Sequence, residues 1–139
     1  MEKFFSENSI NAVDSDGRNL MFHAIRHKKL GLVSNLIERG INFDSPDNLG
    51  WYPLHYAVQQ STPDIVKALI SANADINATD GHGNNVLWRA VFESKGSGEI
   101  IKLLLLNGAN PNIKNNYGIS ALDLAKSISN YDILQFFSP

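Results

Sequence analysis

Apolar residues return along this chain in sets spaced i, i+1, i+4, i+5. The first set is Leu32, Val33, Leu36 and Ile37, the second Ile65, Val66, Leu69 and Ile70, and the third Ile100, Ile101, Leu104 and Leu105. Ile133, Leu134 and Phe137 form a shorter fourth. Each set places one apolar stripe on an α-helix and leaves the opposite face polar. Between the stripes stand Gly17, Gly50, Gly83 and Gly118, 33, 33 and 35 residues apart, preceded at three positions by Asp14, Asp47, Asp80 and, in the last copy, Asn115. A small residue follows at the eleventh position of each copy: Ala24, Ala57, Ala90 and Ala125. The period therefore predicts a tight turn, a first helix that packs closely at its alanine, and a second, striped helix. No single unit can bury its stripe alone, so the units must stack as a solenoid.

Local signals agree with that reading. Thr62-Pro63-Asp64 precedes the second stripe, with a cap oxygen, a proline at the first helical position and a carboxylate near the positive end of the helix dipole. Gly40, Asn73 and Gly108 stand where the striped helices should end, since these residue types tolerate the left-handed cap. The units run over 14–46, 47–79, 80–114 and 115–139, with 1–13 left as an N-terminal half-unit. The third is two residues longer, and the surplus falls within Glu93-Ser-Lys-Gly-Ser-Gly98, a composition that predicts a mobile loop.

The copies resemble the ankyrin repeat, D-x-x-G-x-T-P-L-H-x-A with a closing L-L-x-x-G-A-D-x-N. The second copy carries most of it, in Asp47, Gly50, Pro53, Leu54, His55, Ala57, Leu69, Ile70, Ala74, Asp75, Ile76 and Asn77. The others are looser: Gly17-Arg-Asn-Leu-Met-Phe-His-Ala24, Gly83-Asn-Asn-Val-Leu-Trp-Arg-Ala90 and Gly118-Ile-Ser-Ala-Leu-Asp-Leu-Ala125. Tyr52 replaces the family's threonine. The resemblance covers 14–139 and implies an all-α ankyrin solenoid of paired antiparallel helices with short finger turns. It implies too that Ile10-Asn11-Ala12-Val13 closes a capping half-repeat containing Phe4 and Phe5, and that His55 has a structural hydrogen-bonding role between repeats.

Charge and candidate chemistry narrow the function classes. The 12 basic and 14 acidic residues leave a net charge of −2 with no block of like charge, which argues against nucleic acid or an anionic membrane as partner. Cysteine is absent, removing disulfides and thiolate metal sites. There is no signal-peptide-length apolar run, nor the roughly 18 apolar residues of a membrane helix, so a cytoplasmic location is expected. His23 and His27 have the i, i+4 spacing of metal ligands, but no third ligand is evident and Arg26 beside them opposes a cation. Gly81-His82-Gly83 lacks the strand and lysine of a phosphate loop and reads as a finger turn. Ser6, Ser45 and the other hydroxyls have no base at a recognisable spacing. The expectation is no catalytic residue, metal or cofactor, and no enzyme.

Binding remains, and the resemblance places it on the concave face built by the finger turns and the exposed side of the first helices. The candidate partner-binding residues are Asp16, Arg18, Arg26 and His27 in the first repeat and Leu49, Trp51, Gln59 and Gln60 in the second. The third repeat adds His82, Asn84, Phe92 and Glu93, and the fourth Asn116, Tyr117 and Ile119. Leu49, Trp51, Phe92, Tyr117 and Ile119 are large and apolar where a solvated turn would be polar, which points to contact with another protein. The chain looks like a stand-alone bacterial ankyrin protein, and the most specific reading is an immunity protein that occludes a cognate toxin. A general adaptor for a cellular enzyme and a host-directed effector are the alternatives. A monomer is expected, with weak self-association through the C-terminal end if Phe136 and Phe137 are not both buried.

Overall fold

A turn and a pair of helices recur in the computed structural model, which describes residues 10–128 and 130–137. Among the described residues the α-helices are α1 (Leu20–Arg26), α2 (Leu30–Glu38), α3 (Pro53–Gln59), α4 (Pro63–Ser71), α5 (Val86–Glu93), α6 (Glu99–Leu106) and α7 (Ala121–Ser127). A short 3-10 helix follows at Ile133–Phe137. The helices α1, α3, α5 and α7 pack side by side in one layer, and α2, α4, α6 and the 3-10 helix form a second layer behind it. This is an all-α solenoid.

The stripes and alanines build the core between the layers. Val33, Leu36, Val66, Leu69, Ile101 and Leu104 are buried, as are Ala24, Ala57, Ala90 and Ala125 in the first helices. Asn19, Asn85 and Ser120 cap α1, α5 and α7 by accepting from the N–H groups of Met21, Trp88 and Asp123. Asn19 and Asn85 also donate their amides to the carbonyls of Asn42 and Asn110, tying each first helix to the end of its own repeat. The striped helices stop at Gly40, Asn73 and Gly108, all with positive φ. Thr62 departs from its expected role: its hydroxyl donates to the carbonyl of Ala57 and does not cap α4, which starts on Pro63.

The third and fourth repeats differ from the sequence reading in two places. The fourth stripe forms a 3-10 helix because five residues are too few for cooperative α-helix growth. Ile133 is buried, while Leu134 is exposed. The long loop after α5 is not a free excursion. Ser94 bonds back to the carbonyl of Val91 and receives the N–H of Ser97, and the chain then passes under two rings of the C-terminal segment. A Cβ at Gly96 would lie 2.7 Å from the Tyr131 ring, and one at Gly98 would run into the ring of Phe136. The Lys102 ammonium stands 5.2 Å from the centre of the Phe136 ring. Phe136 and Phe137 are thus half-buried against their own chain. Phe4 and Phe5 lie outside the described residues.

Close packing of Phe136 on Gly98 predicts that Gly98→Ala lowers stability by about 1–3 kcal/mol, since the ring must move. Urea denaturation of Gly98→Ala, Phe136→Ala and the double variant tests this. The two effects should be strongly non-additive, and simple additivity would show that the loop and the C-terminal segment do not depend on each other.

Candidate partner-binding face

Each finger is a carboxylate or amide folded back onto its own turn. Oδ1 of Asp14 accepts the N–H groups of Asp16 and Arg18, that of Asp47 those of Leu49 and Trp51, and that of Asp80 those of His82 and Asn84. Asn115 does the same for Tyr117 and Ile119. One side-chain oxygen thereby satisfies two backbone donors and fixes the tip. Neighbouring fingers are also joined: the N–H of Asn48 donates to the carbonyl of Asp16, and that of Asn116 to His82, both at 2.9 Å. The side-chain amides of Asn48 and Asn116 add bonds to the carbonyls of Ser15 and Gly81. Asp16, Leu49, His82 and Tyr117 consequently form one exposed row along the fingertips.

The second oxygen of each buried carboxylate needs a partner, and the repeats supply different ones. The Asp47 side chain is fully buried. Its Oδ2 receives Nε of Arg18 from the preceding finger at 3.0 Å and the hydroxyl of Tyr56 from the following helix, and Arg18 also donates to that hydroxyl. Burial raises the Asp47 pKa, but the bonds from Tyr56, the Trp51 N–H and Arg18 outweigh it, and the carboxyl is held below its usual range. Burial and the bond to Asp47 push the Tyr56 hydroxyl up to about 12.

In the next repeat the roles exchange. Trp51 takes the register position of Arg18, and Arg89 that of Tyr56. Arg89 stands 4.0 Å from Asp80 and 3.4 Å from Glu93, with its guanidinium 4.6 Å from the centre of the Trp51 ring. A cation and a ring therefore meet at both joints, with the cation on the finger in one and on the helix in the other. The second joint is less completely bonded, for Oδ2 of Asp80, Nε of Arg89 and Nε1 of Trp88 are buried without hydrogen-bond partners. In the fourth repeat the two positions hold Asn84 and Leu124, so no cation is present. There the carboxylate is replaced by Asn115, whose amide donates to Oδ1 of Asn84 at 2.8 Å. A charged aspartate at that site would be buried without a counter-ion.

This arrangement sorts the candidate residues. Asp16, Arg26, His27, Leu49, Gln59, His82, Phe92, Asn116, Tyr117 and Ile119 are exposed, with Tyr117 at 74%, Leu49 at 64% and Phe92 at 57%. Gln60 and Glu93 are half-buried. Asn84 has to be removed from the surface: it is buried, bonded to Asn115 through its side chain and to His55 through its carbonyl. Arg18 and Trp51 are half-buried and engaged in the joints described above. These pairings are not legible in the finger residues alone, because Tyr56 and Arg89 lie on another element. The signal available was register: the residue before each alanine, His23, Tyr56, Arg89 and Leu124, changes in step with the finger residue of the previous copy.

The comparisons with known proteins follow the same periodicity. A model described as ankyrin repeats in three copies matches residues 1–80, and a single ankyrin repeat matches residues 82–116. The chain belongs to the ankyrin repeat family. It is 32% identical over 131 residues, 89% of its length, to an intracellular phospholipase A2 of Caenorhabditis elegans, of which it covers 12%. It is 32% identical over 119 residues, 85% of its length, to an ankyrin repeat protein of fowlpox virus, covering 27% of it. To the nuclear factor NF-kappa-B p105 subunit of Gallus gallus it is 31% identical over 131 residues, 88% of its length, and covers 13% of that protein. The chain thus spans about an eighth to a quarter of the length of these relatives. They are animal and viral, so the expectation of a bacterial source gains nothing from them. The likeness to the phospholipase is one of repeats.

Ankyrin repeats are protein-interaction modules, and a protein partner follows from membership of the family. The ankyrin histidine of the second repeat, His55, is buried. Its Nδ1 accepts the N–H of Tyr52, which leaves Nε2 to donate to the carbonyl of Asn84 in the next repeat. His23 is held by Oδ2 of Asp14 at 2.9 Å, whereas His27 is exposed. Among the described residues no group of three metal-ligating side chains converges, and no helix is long and apolar enough to cross a membrane.

Two predictions arise from these joints. Although aspartate is the family residue there, Asn115→Asp should destabilise the protein by about 1–3 kcal/mol at neutral pH, and adding Leu124→Arg should recover part of the loss. Urea midpoints of both variants decide it; an innocuous Asn115→Asp would refute the requirement for a cation. The second concerns pH. Burial lowers the pKa of His55 below the ordinary 6.5, so the unfolded chain takes up the proton first. Its contribution is complete above that value and declines as pH falls through it towards the folded pKa. His55→Gln should therefore lose less stability than the parent between about pH 7.5 and about pH 5.5. Parallel pH slopes in the two proteins would exclude this role.

Proposed function

We propose that the chain binds its protein partner through the face formed by the fingertip row and the exposed side of α1, α3, α5 and α7. The observation that carries this reading is the exposure of Leu49, Phe92 and Tyr117, three large side chains in a face whose backbone is fixed by side-chain bonds at every finger. Phe92 is held against Trp88, their rings stacked at 5.5 Å and 15°. A pre-formed aromatic contact loses little entropy on binding. Asp16, His82, Asn116 and Ile119 lie along the fingers, and Arg26, His27, Gln59, Gln60 and Glu93 lie at the helix ends. Arg18, Trp51 and Asn84 support the face from within. A face of this kind suits an interface of roughly 800 Å² per partner.

Occlusion of the partner's own working surface is the simplest mode for such a face. An immunity protein covering a toxin is its most specific form, with an adaptor that recruits a cellular enzyme, or an effector that engages a host protein, as the alternatives. A cytoplasmic setting goes with the first two.

The triple variant Leu49→Ala, Phe92→Ala, Tyr117→Ala should keep its thermal midpoint nearly unchanged, since none of the three is in the core. Affinity for a partner recovered by tagged pull-down should fall by roughly 30-fold or more. Undiminished capture by the folded variant would move the interface elsewhere.

A further inference from the structure

Positive charge is gathered at one end of the proposed face. Between Gly17 and Ile37 the chain carries Arg18, Arg26, Lys28, Lys29 and two histidines, and no Asp or Glu. Arg26, His27, Lys28 and Lys29 end α1 and begin the loop to α2, and all four are exposed. Beside them a groove of about 250 Å³ opens between α1 and α3. Phe22 and Tyr56, packed edge to face, give it an apolar side; Arg26 gives it a cation, and Gln59 and Gln60 give it two side-chain amides.

The carboxylates nearby are already occupied. Asp14 is bonded to its own turn and to His23, and Asp47 to its turn, Arg18 and Tyr56. Among the described residues, Arg26, Lys28 and Lys29 form no ion pair. Among the described residues the Arg26 guanidinium in this groove is thus uncompensated, and such a group holds a carboxylate through two parallel N–H donors; beside it stand amides able both to donate to and accept from a peptide backbone.

We infer that the α1–α3 groove receives an acidic segment of the protein partner, with a Glu or Asp side chain of that segment on Arg26. The inference rests on the proposed binding face and specifies the chemistry of the partner at its first-repeat end. A groove the size of a side chain, walled by two rings and two amides, favours peptide over nucleic acid or a lipid surface, either of which would use a broader basic stripe.

The test uses isotope-labelled full-length protein and four probes: a peptide of alternating Glu and Leu, its Gln-for-Glu counterpart, single-stranded oligothymidylate, and phosphatidylcholine vesicles containing phosphatidylserine. The acidic peptide should shift the Arg26, Gln59 and Gln60 resonances. Arg26→Ala should weaken it by roughly tenfold or more, as expected for a charge-assisted hydrogen bond. Arg26→Glu, with its fold confirmed by its amide spectrum, should abolish binding of the Glu peptide and take up a Lys-for-Glu version instead. Equal affinity for the Gln peptide, no shift of those resonances up to millimolar peptide, or Arg26-dependent binding of only the oligonucleotide or the vesicles would each overturn the inference. The binding face is judged separately: loss of the captured partner in the Leu49, Phe92, Tyr117 variant, with no acidic-peptide binding, would retain the face and reject the groove.

Discussion

The Asp or Asn side chain at the base of each finger, buried in all but the first, is the constraint around which the stack is organised. Its first oxygen is used by the finger's own backbone in all four repeats, in the same geometry. The second oxygen faces the neighbouring elements, where an ionised carboxylate is tolerated only with a counter-charge or strong donors. His23, the Arg18 and Tyr56 pair, and Arg89 with Trp51 are three answers to one problem. Asn84 with Asn115 is the fourth, and it removes the charge instead of matching it.

Function inherits this arrangement. Residues that satisfy a finger from the previous repeat are withdrawn from the surface, and those two positions earlier in register, Asp16, Leu49 and His82, remain outside. Leu49 is exposed, whereas Trp51 is half-buried because its ring packs on Tyr56 and under the Arg89 guanidinium. The proposed binding face is therefore narrower than the full set of large or charged finger residues, and its backbone and supporting rings are held from behind. The same economy of partners leaves the end of α1 with cations that no carboxylate of the described chain neutralises, whereas the third repeat encloses its arginine between Asp80, Glu93 and aromatic rings.

Stacking also explains the ends of the array. The longer loop after α5 resembles a tolerated insertion when read as a string of Ser and Gly. In three dimensions its glycines leave room for the rings of Tyr131 and Phe136, which a Cβ at Gly96 or Gly98 would meet. A short terminal stripe that could not form a full α-helix is secured this way, by rings resting on the neighbouring repeat.

The repeat length, the paired helices of the first three units, the alanines between layers and the stops at Gly40, Asn73 and Gly108 are all legible in the residue order, because helical periodicity and left-handed backbone are local properties. The residue order also marks the finger residues from which a binding face would be drawn. Which of them remain available depends on how the repeats meet in the assembled stack. Arg18 meets Asp47 across 29 residues, and Asn84 meets Asn115 across 31. Neither pairing has a signature in local composition, since a residue's exposure here is set by the charge its neighbouring repeat must neutralise.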